Sequence, residues 1–456
     1  MTTFTANSVA QQPPLNKPHS FISGDLPRFK EDALKFFYHV GMTHGPIARV
    51  RYFWVYQYVL THPDYIQQVL QTNNRNYIKE PNLVRAVNLA GENLFSTDGD
   101  EWLKRRRLMQ PAFHKQRLET FGEMMTEVTA WKVGEWLAAA DRTIELEHEM
   151  KDLTMNIIGR AMLSLDMRQN ADHLHHAFNT TSSFVIQQLQ NPFSPPLWVP
   201  LPANRRFIKA RNTINNTLEQ IVQKRLDTKE VKGDLLDMLL ATLAEEKEGQ
   251  ITLSRAELLG ELAGIVFAGH ETTATTLTWL FGMLAQHPDV EAKLHEELDR
   301  VLRGRIPTFA DLPNLPYTRM VIDETMRLYP AAWTLTRHAL NADTIGGYQI
   351  PAGGNVLINI FTLHRHPDYW DNPEQFDPER FSPERSANRH KFAFMPFGGG
   401  PRKCIGESFA LAEAQLVTAT IAQRYRLRLM PGQNTDPFAL FILQTRHGLQ
   451  MRLEER

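Results

Sequence analysis

One long helical pattern dominates the middle of this 456-residue chain and restricts the folds that it can adopt. Ser254-Arg-Ala-Glu257 matches a capping box, in which serine and glutamate satisfy each other's backbone amides at a helix N-terminus. Apolar residues then recur with helical spacing to about Gln286, and His287-Pro288 predicts the end of the helix. At roughly 1.5 Å per residue this helix is about 45–50 Å long, enough to cross a whole domain. We therefore expect a large, mainly α-helical fold with small β-sheets (α+β).

Shorter patterns predict where the sheets lie. Residues 30–80 mix helical stretches with the β-like run ARVRYFWVYQYVL, and residues 340–400 indicate loops with short strands. The segment ESFALAEAQLVTATIAQRY, residues 407–425, has helical spacing, whereas the tail FILQTRHGLQMRL is typical of a terminal strand pair.

Composition is that of a globular protein, with 42% hydrophobic and 22% charged residues. Length alone suggests roughly three domains of about 150 residues. No break between residues 30 and 450 is typical of a linker, so we expect one domain over residues 23–456. Residues 1–22 are polar and contain three prolines, which predicts a flexible lead.

Charge and targeting signals exclude several classes of protein. The net charge of -1 gives no overall field that would favour nucleic acid or acidic lipid. The N-terminus lacks the basic start and apolar run of a signal peptide. The longest apolar stretch, Leu258 to Ala268, contains Glu261 and is shorter than the ~20 residues of a membrane span. A single cysteine permits no internal disulfide, which fits a reducing, cytoplasmic location.

The centre of the long helix is chemically unusual. Apolar residues lead into Gly269, His270, Glu271, Thr272 and Thr273. Glycine and consecutive threonines weaken a helix interior, and a threonine hydroxyl can bond to a carbonyl one turn back. An acid beside a hydroxyl suggests proton handling. Alternatively, the threonines cap local carbonyls and the glutamate faces solvent.

The His270-Glu271 pair does not fit the zinc-protease motif. That motif needs a second histidine one turn later, and Ala274 stands there.

The only cysteine, Cys404, lies in the glycine-rich segment FGGGPRKCIG. A lone cysteine cannot build a four-cysteine cluster, but its thiolate can serve as the axial ligand of a haem iron. Glycines would let the backbone approach a flat macrocycle, and Arg402 would meet a haem carboxylate. The positive end of the following helix would favour the thiolate. The alternative is a buried structural cysteine in a turn.

The full segment resembles the FxxGxRxCxG signature of the cytochrome P-450 haem-thiolate family. Further motifs follow in that family's order and extend the resemblance from about residue 30 to the end. The signature residues are Phe397, Gly400, Arg402, Cys404 and Gly406. The family implies a single-domain fold that binds haem b between the long central helix and the cysteine-loop helix.

The family's ExxR pair is matched by Glu324-Thr-Met-Arg327, and Arg380 in PERF would complete a buried ion network. Trp102 and Arg106 match its WxxxR helix and would contact a haem propionate, as would Arg337. We expect Lys104, Arg105 and Arg107 to contact solvent or a partner.

By the same resemblance, Glu271 and Thr272 form the acid-alcohol pair of the oxygen-activation motif. Ala268 and Gly398 would also contact the haem.

The resemblance implies a monooxygenase that hydroxylates or epoxidises a lipophilic substrate with O2. We expect no fused reductase, so electrons from NAD(P)H would come through separate partners, a ferredoxin or flavodoxin and its reductase. Lys391, Arg402 and Lys403, with the Lys104–Arg107 cluster, would form a basic docking face. We expect a monomer.

Candidate pocket residues are apolar and suggest a fatty acid, terpenoid, steroid or polyketide substrate. They are Leu94, Phe95, Val266, Ala332, Trp333, Leu335, Phe441 and Ile442. These residues are equally expected in core packing. Two other functions stay open: a haem-thiolate sensor without turnover, and a member that rearranges its substrate or uses peroxide. The intact Glu271-Thr272 pair argues against both.

Overall fold

The computed structural model describes residues 11–138, 141–168, 171–191, 194–243 and 252–456, except for the side chains of residues 171 and 172. Within them the chain forms sixteen α-helices and twelve strands. The helices are α1 Leu26–Glu31, α2 Ala33–Thr43, α3 Pro63–Gln67, α4 Pro81–Asn88, α5 Gly99–Met109, α6 Lys115–Ala138, α7 Leu146–Leu163, α8 Ala171–Gln190, α9 Pro202–Thr228, α10 Leu235–Leu240, α11 Arg255–Gln286, α12 Pro288–Leu302, α13 Pro316–Leu328, α14 Ile360–Leu363, α15 Pro383–Ser386 and α16 Glu407–Ala422. The strands are β1 Ile47–Tyr52, β2 Val55–Leu60, β3 Tyr77–Ile78, β4 Thr143–Glu145, β5 Thr334–Ala339, β6 Asp343–Ile345, β7 Tyr348–Ile350, β8 Asn355–Asn359, β9 Tyr425–Leu429, β10 Pro437–Ala439, β11 Leu443–Thr445 and β12 Gln450–Glu455.

The chain divides into two compact units. The first contains the residues up to Pro81 together with residues 333–373 and 389–403. The second contains residues 82–332, 374–388 and 404–456. The expectation of one domain over residues 23–456 stays a prediction.

The first unit is built around a five-stranded sheet in the order β1-β2-β8-β5-β3. β1 and β2 form a hairpin at the predicted β-like run, and Tyr52 pairs with Val55 across the turn. β8 runs parallel to β2 and antiparallel to β5. The buried face of the sheet carries Ile47, Leu60, Val356 and Ile358.

Residues 11–25 contact this unit. Backbone bridges join Gln11 to Tyr348 and Leu15 to Arg49. The buried side chain of Asn16 donates a 2.8 Å hydrogen bond to Asp25. The flexibility expected for residues 1–22 stays a prediction, and residues 1–10 lie outside the described residues.

In the second unit, α11 packs against α7, α9, α13 and α16. The predicted capping box is present, with both the Ser254 and Glu257 side chains bonded to the opposite backbone amide, and the helix ends at Gln286 as predicted. Gly269 lets α7 come close: a Cβ added there would lie 2.6 Å from Cδ1 of Ile158. Thr154 of α7 donates a 3.0 Å hydrogen bond to the carbonyl of His270.

The prediction of a terminal strand pair is wrong in its pairing. β11 pairs with β10, and β12 pairs with β4 and β9. The two strand segments of the tail are real, but their alternating apolar residues carry no information on which partner each strand meets. In the described part of the chain, no helix is both long and apolar enough to cross a membrane.

We expect Gly269→Ala to destabilise the protein by about 1–2 kcal/mol, because the new methyl group overpacks against Ile158. In an Ile158→Ala background the same change should be neutral or stabilising, since alanine is the better helix former. The measurement is the midpoint of urea denaturation followed by circular dichroism.

Gly134→Ala in α6 is the matched control, because a Cβ there would meet no atom within 4 Å. It should stabilise by up to about 1 kcal/mol. Equal effects of Gly269→Ala in both backgrounds would contradict the close contact between α7 and α11.

Candidate active site

The segment before Cys404 forms a tight glycine-dependent turn. Gly398 and Gly400 have φ values of 72° and 69°, which side chains rarely adopt. A Cβ at Gly400 would lie 1.8 Å from the backbone oxygen of Leu70, so no larger residue fits. This turn is in the first unit, where Phe397 and Arg402 are partly buried.

Cys404 itself stands just before α16, in the second unit. Its thiol is exposed and forms no disulfide, and α16 begins three residues later at Glu407 with Gly406 as its N-cap. The backbone amides at this helix end carry partial positive charge, which favours a thiolate over a thiol. A Cβ at Gly406 would lie 3.9 Å from the Cys404 sulfur, so the residue keeps the space beside it open.

Arg106 of α5 is within electrostatic reach of Cys404. Burial lowers the pKa of the Arg106 guanidinium, and the charge of the Cys404 thiolate opposes that change. Trp102 lies one turn earlier on α5 and is also partly buried. Arg337, on β5 of the first unit, is buried and donates to the carbonyl of Thr336 at 2.7 Å.

The structure corrects the expectation for Arg105. Its side chain is only 1% exposed and pairs with carboxylates from two segments besides its own helix, so it contacts neither solvent nor a partner. The carboxylates are those of Glu261 at 2.8 Å, Glu257 at 2.7 Å, Glu92 at 2.9 Å and Glu101. By contrast, Lys104, Arg107, Lys391 and Lys403 are exposed.

The ExxR residues form a buried network with the PERF segment. Arg327 donates to both oxygens of Glu324, at 2.7 and 2.8 Å, and both side chains are fully buried. Arg380 approaches the same carboxylate at 3.3 Å, and the backbone amide of Asp377 donates to it at 2.8 Å. Arg327 also donates to the carbonyl of Gln375 at 3.1 Å. The structure therefore brings Glu324, Arg327 and Arg380 together.

The centre of α11 has one open face. Ala268 is exposed and Thr272 partly exposed, although most residues of this helix are buried. The Thr272 hydroxyl donates to the carbonyl of Ala268 at 2.8 Å, and Thr276 and Thr278 bond back to Thr272 and Ala274 in the same way. A lone pair of the Thr272 oxygen stays available on this face.

Glu271 lies on a different face of α11 and is 2% exposed. Its carboxylate is 3.3 Å from Nε2 of His270, 3.5 Å from the ammonium of Lys151 and 3.6 Å from Nδ1 of His175. Burial alone would raise the pKa of Glu271, but the contact with His270 and the charge of Lys151 outweigh it and keep the pKa below its ordinary range. Glu271 is therefore ionised.

Burial, followed by the charge of Lys151, lowers the pKa of His175 to about 4, so this imidazole is neutral near pH 7. Sequence reasoning missed Lys151 and His175. The one available signal for Lys151 was its position four residues after Glu147, with which it forms a 2.9 Å ion pair.

The predicted pocket residues are distributed over both units. The ring of Phe441 lies 6.0 Å from Phe95 and 6.1 Å from Phe267, so the C-terminal turn meets the loop before α5 and the central helix. The amide of Leu94 donates to Glu261 at 2.9 Å. Val266 and Ile442 are buried, and Ala332 is partly buried. In the first unit, Trp333 packs 6.1 Å from Phe37, and Leu335 is on β5.

Comparisons with known proteins agree with this description. The sequence profile of the cytochrome P-450 family matches residues 13–452. Cyclooctatin synthase of Streptomyces melanosporofaciens is 36% identical over 407 residues, 86% of this chain and 85% of that protein. Pentalenene oxygenase of Streptomyces avermitilis is 32% identical over 417 residues, 91% of each chain. A crystal structure of the cytochrome P-450DA haem domain superimposes with a TM-score of 0.88 at 26% identity and covers 98% of both chains.

The chain belongs to the cytochrome P-450 family. The predicted mainly α fold with small β-sheets is confirmed. Together with the monooxygenases among its relatives, the family match makes this protein a haem-dependent monooxygenase.

The residues present fit a haem group. The single thiol is exposed at a helix N-terminus with a guanidinium within electrostatic reach. The otherwise buried α11 leaves Ala268 and Thr272 uncovered at its centre, as a flat ligand would require. A soft thiolate suits iron, and a nearby guanidinium suits the porphyrin's carboxylates.

We expect Glu324→Gln to destabilise the protein by about 3–5 kcal/mol, because Arg327 and Arg380 then lose their buried countercharge. The urea midpoint and the yield of haem-loaded protein measure the effect.

Arg385→Ala is the control, since Arg385 forms a 2.7 Å ion pair with Asp377 in the same segment but is exposed. It should cost at most about 1 kcal/mol. If Glu324→Gln lost as little stability as Arg385→Ala, the structural role of the network would be contradicted.

Proposed function

We propose that the protein uses O2 to hydroxylate or epoxidise a lipophilic substrate, with Cys404 as the thiolate ligand of the haem iron. The observation that carries the proposal is the exposed thiol of the only cysteine, positioned at the N-terminal end of α16. When bound, the haem supplies the activation of O2 and the transfer of one oxygen atom. The rest of the chemistry falls to side chains that hold the cofactor, deliver protons and orient the substrate.

Haem b would be held by residues that match the family's haem-binding motifs. The haem carboxylates would be bound by Arg402, Trp102, Arg106 and Arg337. The haem ring would be contacted by Phe397, Gly398, Gly406 and Ala268. The family resemblance and the matching motifs support these assignments.

Thr272 is the residue that we propose to deliver protons. Its hydroxyl is directed by the bond to the Ala268 carbonyl, which leaves the oxygen able to accept a proton from water and pass one on. The predicted partner, Glu271, stays a proposal as a proton donor. Its present contacts are with His270, Lys151 and His175, so it would have to exchange protons by way of ordered water or a change of rotamer.

A terpenoid is the substrate class that we favour among the lipophilic candidates. Relatives at 32–36% identity are named for cyclooctatin synthesis and for the oxygenation of pentalenene and cyclooctat-9-en-7-ol. In this chain Phe95, Phe267 and Phe441 form an aromatic cluster at α11, which suits an apolar, compact skeleton.

Electrons would come from NAD(P)H through a ferredoxin or flavodoxin and its reductase. The exposed Lys104, Arg107, Lys391 and Lys403 supply positive charge for such an acidic partner. The monomeric state and the cytoplasmic location expected from the sequence stay predictions.

Cys404→Ser should abolish monooxygenase activity and the thiolate-type spectrum of the ferrous carbon-monoxide complex, because the iron loses its sulfur ligand. Absorption spectroscopy of the purified haem-loaded protein checks this. Ser408→Ala, an exposed change four residues along the chain, should leave both unchanged. A Cys404→Ser protein that kept the thiolate spectrum would refute the assignment.

Thr272→Ala should keep haem and substrate binding but lower the fraction of NAD(P)H converted to product, with the remainder lost as hydrogen peroxide. The measurement is the ratio of product and peroxide to NAD(P)H consumed.

Thr278→Ala is the control for this change, since Thr278 makes the same bond to a carbonyl one turn back but is buried elsewhere on α11. Unchanged coupling in Thr272→Ala, or equal uncoupling in both variants, would count against the proton role of Thr272.

A further inference from the structure

Three side chains near the centre of the second unit aim ligand atoms at one point. They are His175 of α8 and the neighbouring His270 and Glu271 of α11. Each residue offers one ligand atom, and these three atoms all lie within 4.8 Å of one another. Oε1 of Glu271 is 3.3 Å from Nε2 of His270 and 3.6 Å from Nδ1 of His175.

These same three atoms are buried and have no hydrogen-bond partner among the described residues. His270 is fully buried and Glu271 is 2% exposed. A buried polar atom that lacks a partner destabilises the folded state. Because all three unpartnered atoms converge on one point, a single bound species could satisfy all of them.

Two of the three separations match those between ligands of a tetrahedral metal ion. Zinc binds histidine nitrogen and carboxylate oxygen at about 2.0–2.1 Å, so two ligand atoms on its coordination sphere lie about 3.3 Å apart. The contacts from Glu271 to the two imidazoles are close to this spacing. At 3.3 and 3.6 Å these contacts are longer than the roughly 2.7–2.9 Å of a charge-assisted hydrogen bond.

The other contacts of His270 also favour metal binding through its Nε2 atom. Nδ1 of His270 lies 2.8 Å from the carbonyl of Val266, an acceptor, so the proton belongs on Nδ1 and the lone pair on Nε2. The rings of Phe178 and Phe267 lie 5.5 and 6.1 Å from the His270 ring and give the site an apolar wall.

His175 can adopt the tautomer that leaves a lone pair on Nδ1. Its Nε2 lies 2.8 Å from the side-chain amide nitrogen of Asn179, and a flip of that amide would bring its oxygen to the same place. With the amide oxygen turned toward it, Nε2 donates its proton and Nδ1 keeps the lone pair that faces Glu271. The His175 side chain is 19% exposed, which gives an ion and a water ligand a way in.

The surrounding charges are compatible with a cation. Lys151 approaches Oε2 of Glu271 at 3.5 Å, and Gln444 reaches the same oxygen at 3.5 Å, so Oε1 stays available. Glu147 is 2.9 Å from the Lys151 ammonium and offsets its charge.

We propose that His175, His270 and Glu271 form a binding site for a divalent transition metal, with zinc the ion that two imidazoles and one carboxylate favour. The site is separate from the iron ligand Cys404. A fourth position would be taken by water.

Zinc titration of the ferric, haem-loaded protein in competition with a chromogenic chelator tests the proposal. One zinc ion per chain should bind at this site, and X-ray absorption at the zinc edge should show two imidazole nitrogens at about 2.0–2.1 Å. His175→Ala, His270→Ala and Glu271→Gln should each weaken binding at least about tenfold.

His176→Ala is the matched control, because His176 is the next residue on α8 and is exposed. It should leave zinc affinity unchanged. Melting temperature and the carbon-monoxide spectrum show whether each variant is folded. If His270→Ala does not fold, His175→Ala tests the site instead, because His175 is only partly buried. Zinc binding that persists in the triple variant, or no stoichiometric binding by the parent protein, would overturn the site.

Discussion

The central helix α11 has to bury polar and charged side chains in the middle of an apolar unit, and its neighbours are arranged to satisfy them. Glu261 is matched by Arg105, and Glu271 by Lys151. Each cation comes from a different helix, α5 or α7, so the two ion pairs also fix where those helices pack. Removing one partner would strand a buried charge, which costs more than the intact pair contributes.

Buried carboxylates in this unit differ in charge because their partners differ. Glu324 accepts from two guanidiniums and a backbone amide. Glu413 of α16 is fully buried, and burial raises the pKa of its carboxyl well above the usual range, so it is neutral. Similar residues therefore serve as a structural anion in one place and as a neutral acid in another.

Local sequence signals predicted local structure well. The capping box and the His287-Pro288 stop placed both ends of α11, and the β-like run ARVRYFWVYQYVL indicated the strands β1 and β2. Motif spacing indicated the pair of Glu324 and Arg327, and the family resemblance implied that Arg380 joins them.

Contacts between residues distant in sequence could not be predicted in the same way. Arg105 stands among four consecutive cations, and only the folded positions of Glu257 and Glu261 distinguish it from its exposed neighbours. His175 is 95 positions before His270 in the sequence, so no motif joins them. The predicted pairing of the two terminal strands was wrong for the same reason, since strand pairing is set by tertiary contacts.

The hydroxyl bonds along α11 have a consequence for its backbone. The carbonyls of Ala268, His270, Thr272 and Ala274 each accept from a threonine hydroxyl as well as serving the helix. A carbonyl with two donors keeps one partner when the amide of the next turn detaches. This buried stretch can therefore open locally at lower cost, and its amide protons should exchange with deuterium faster than their depth alone implies.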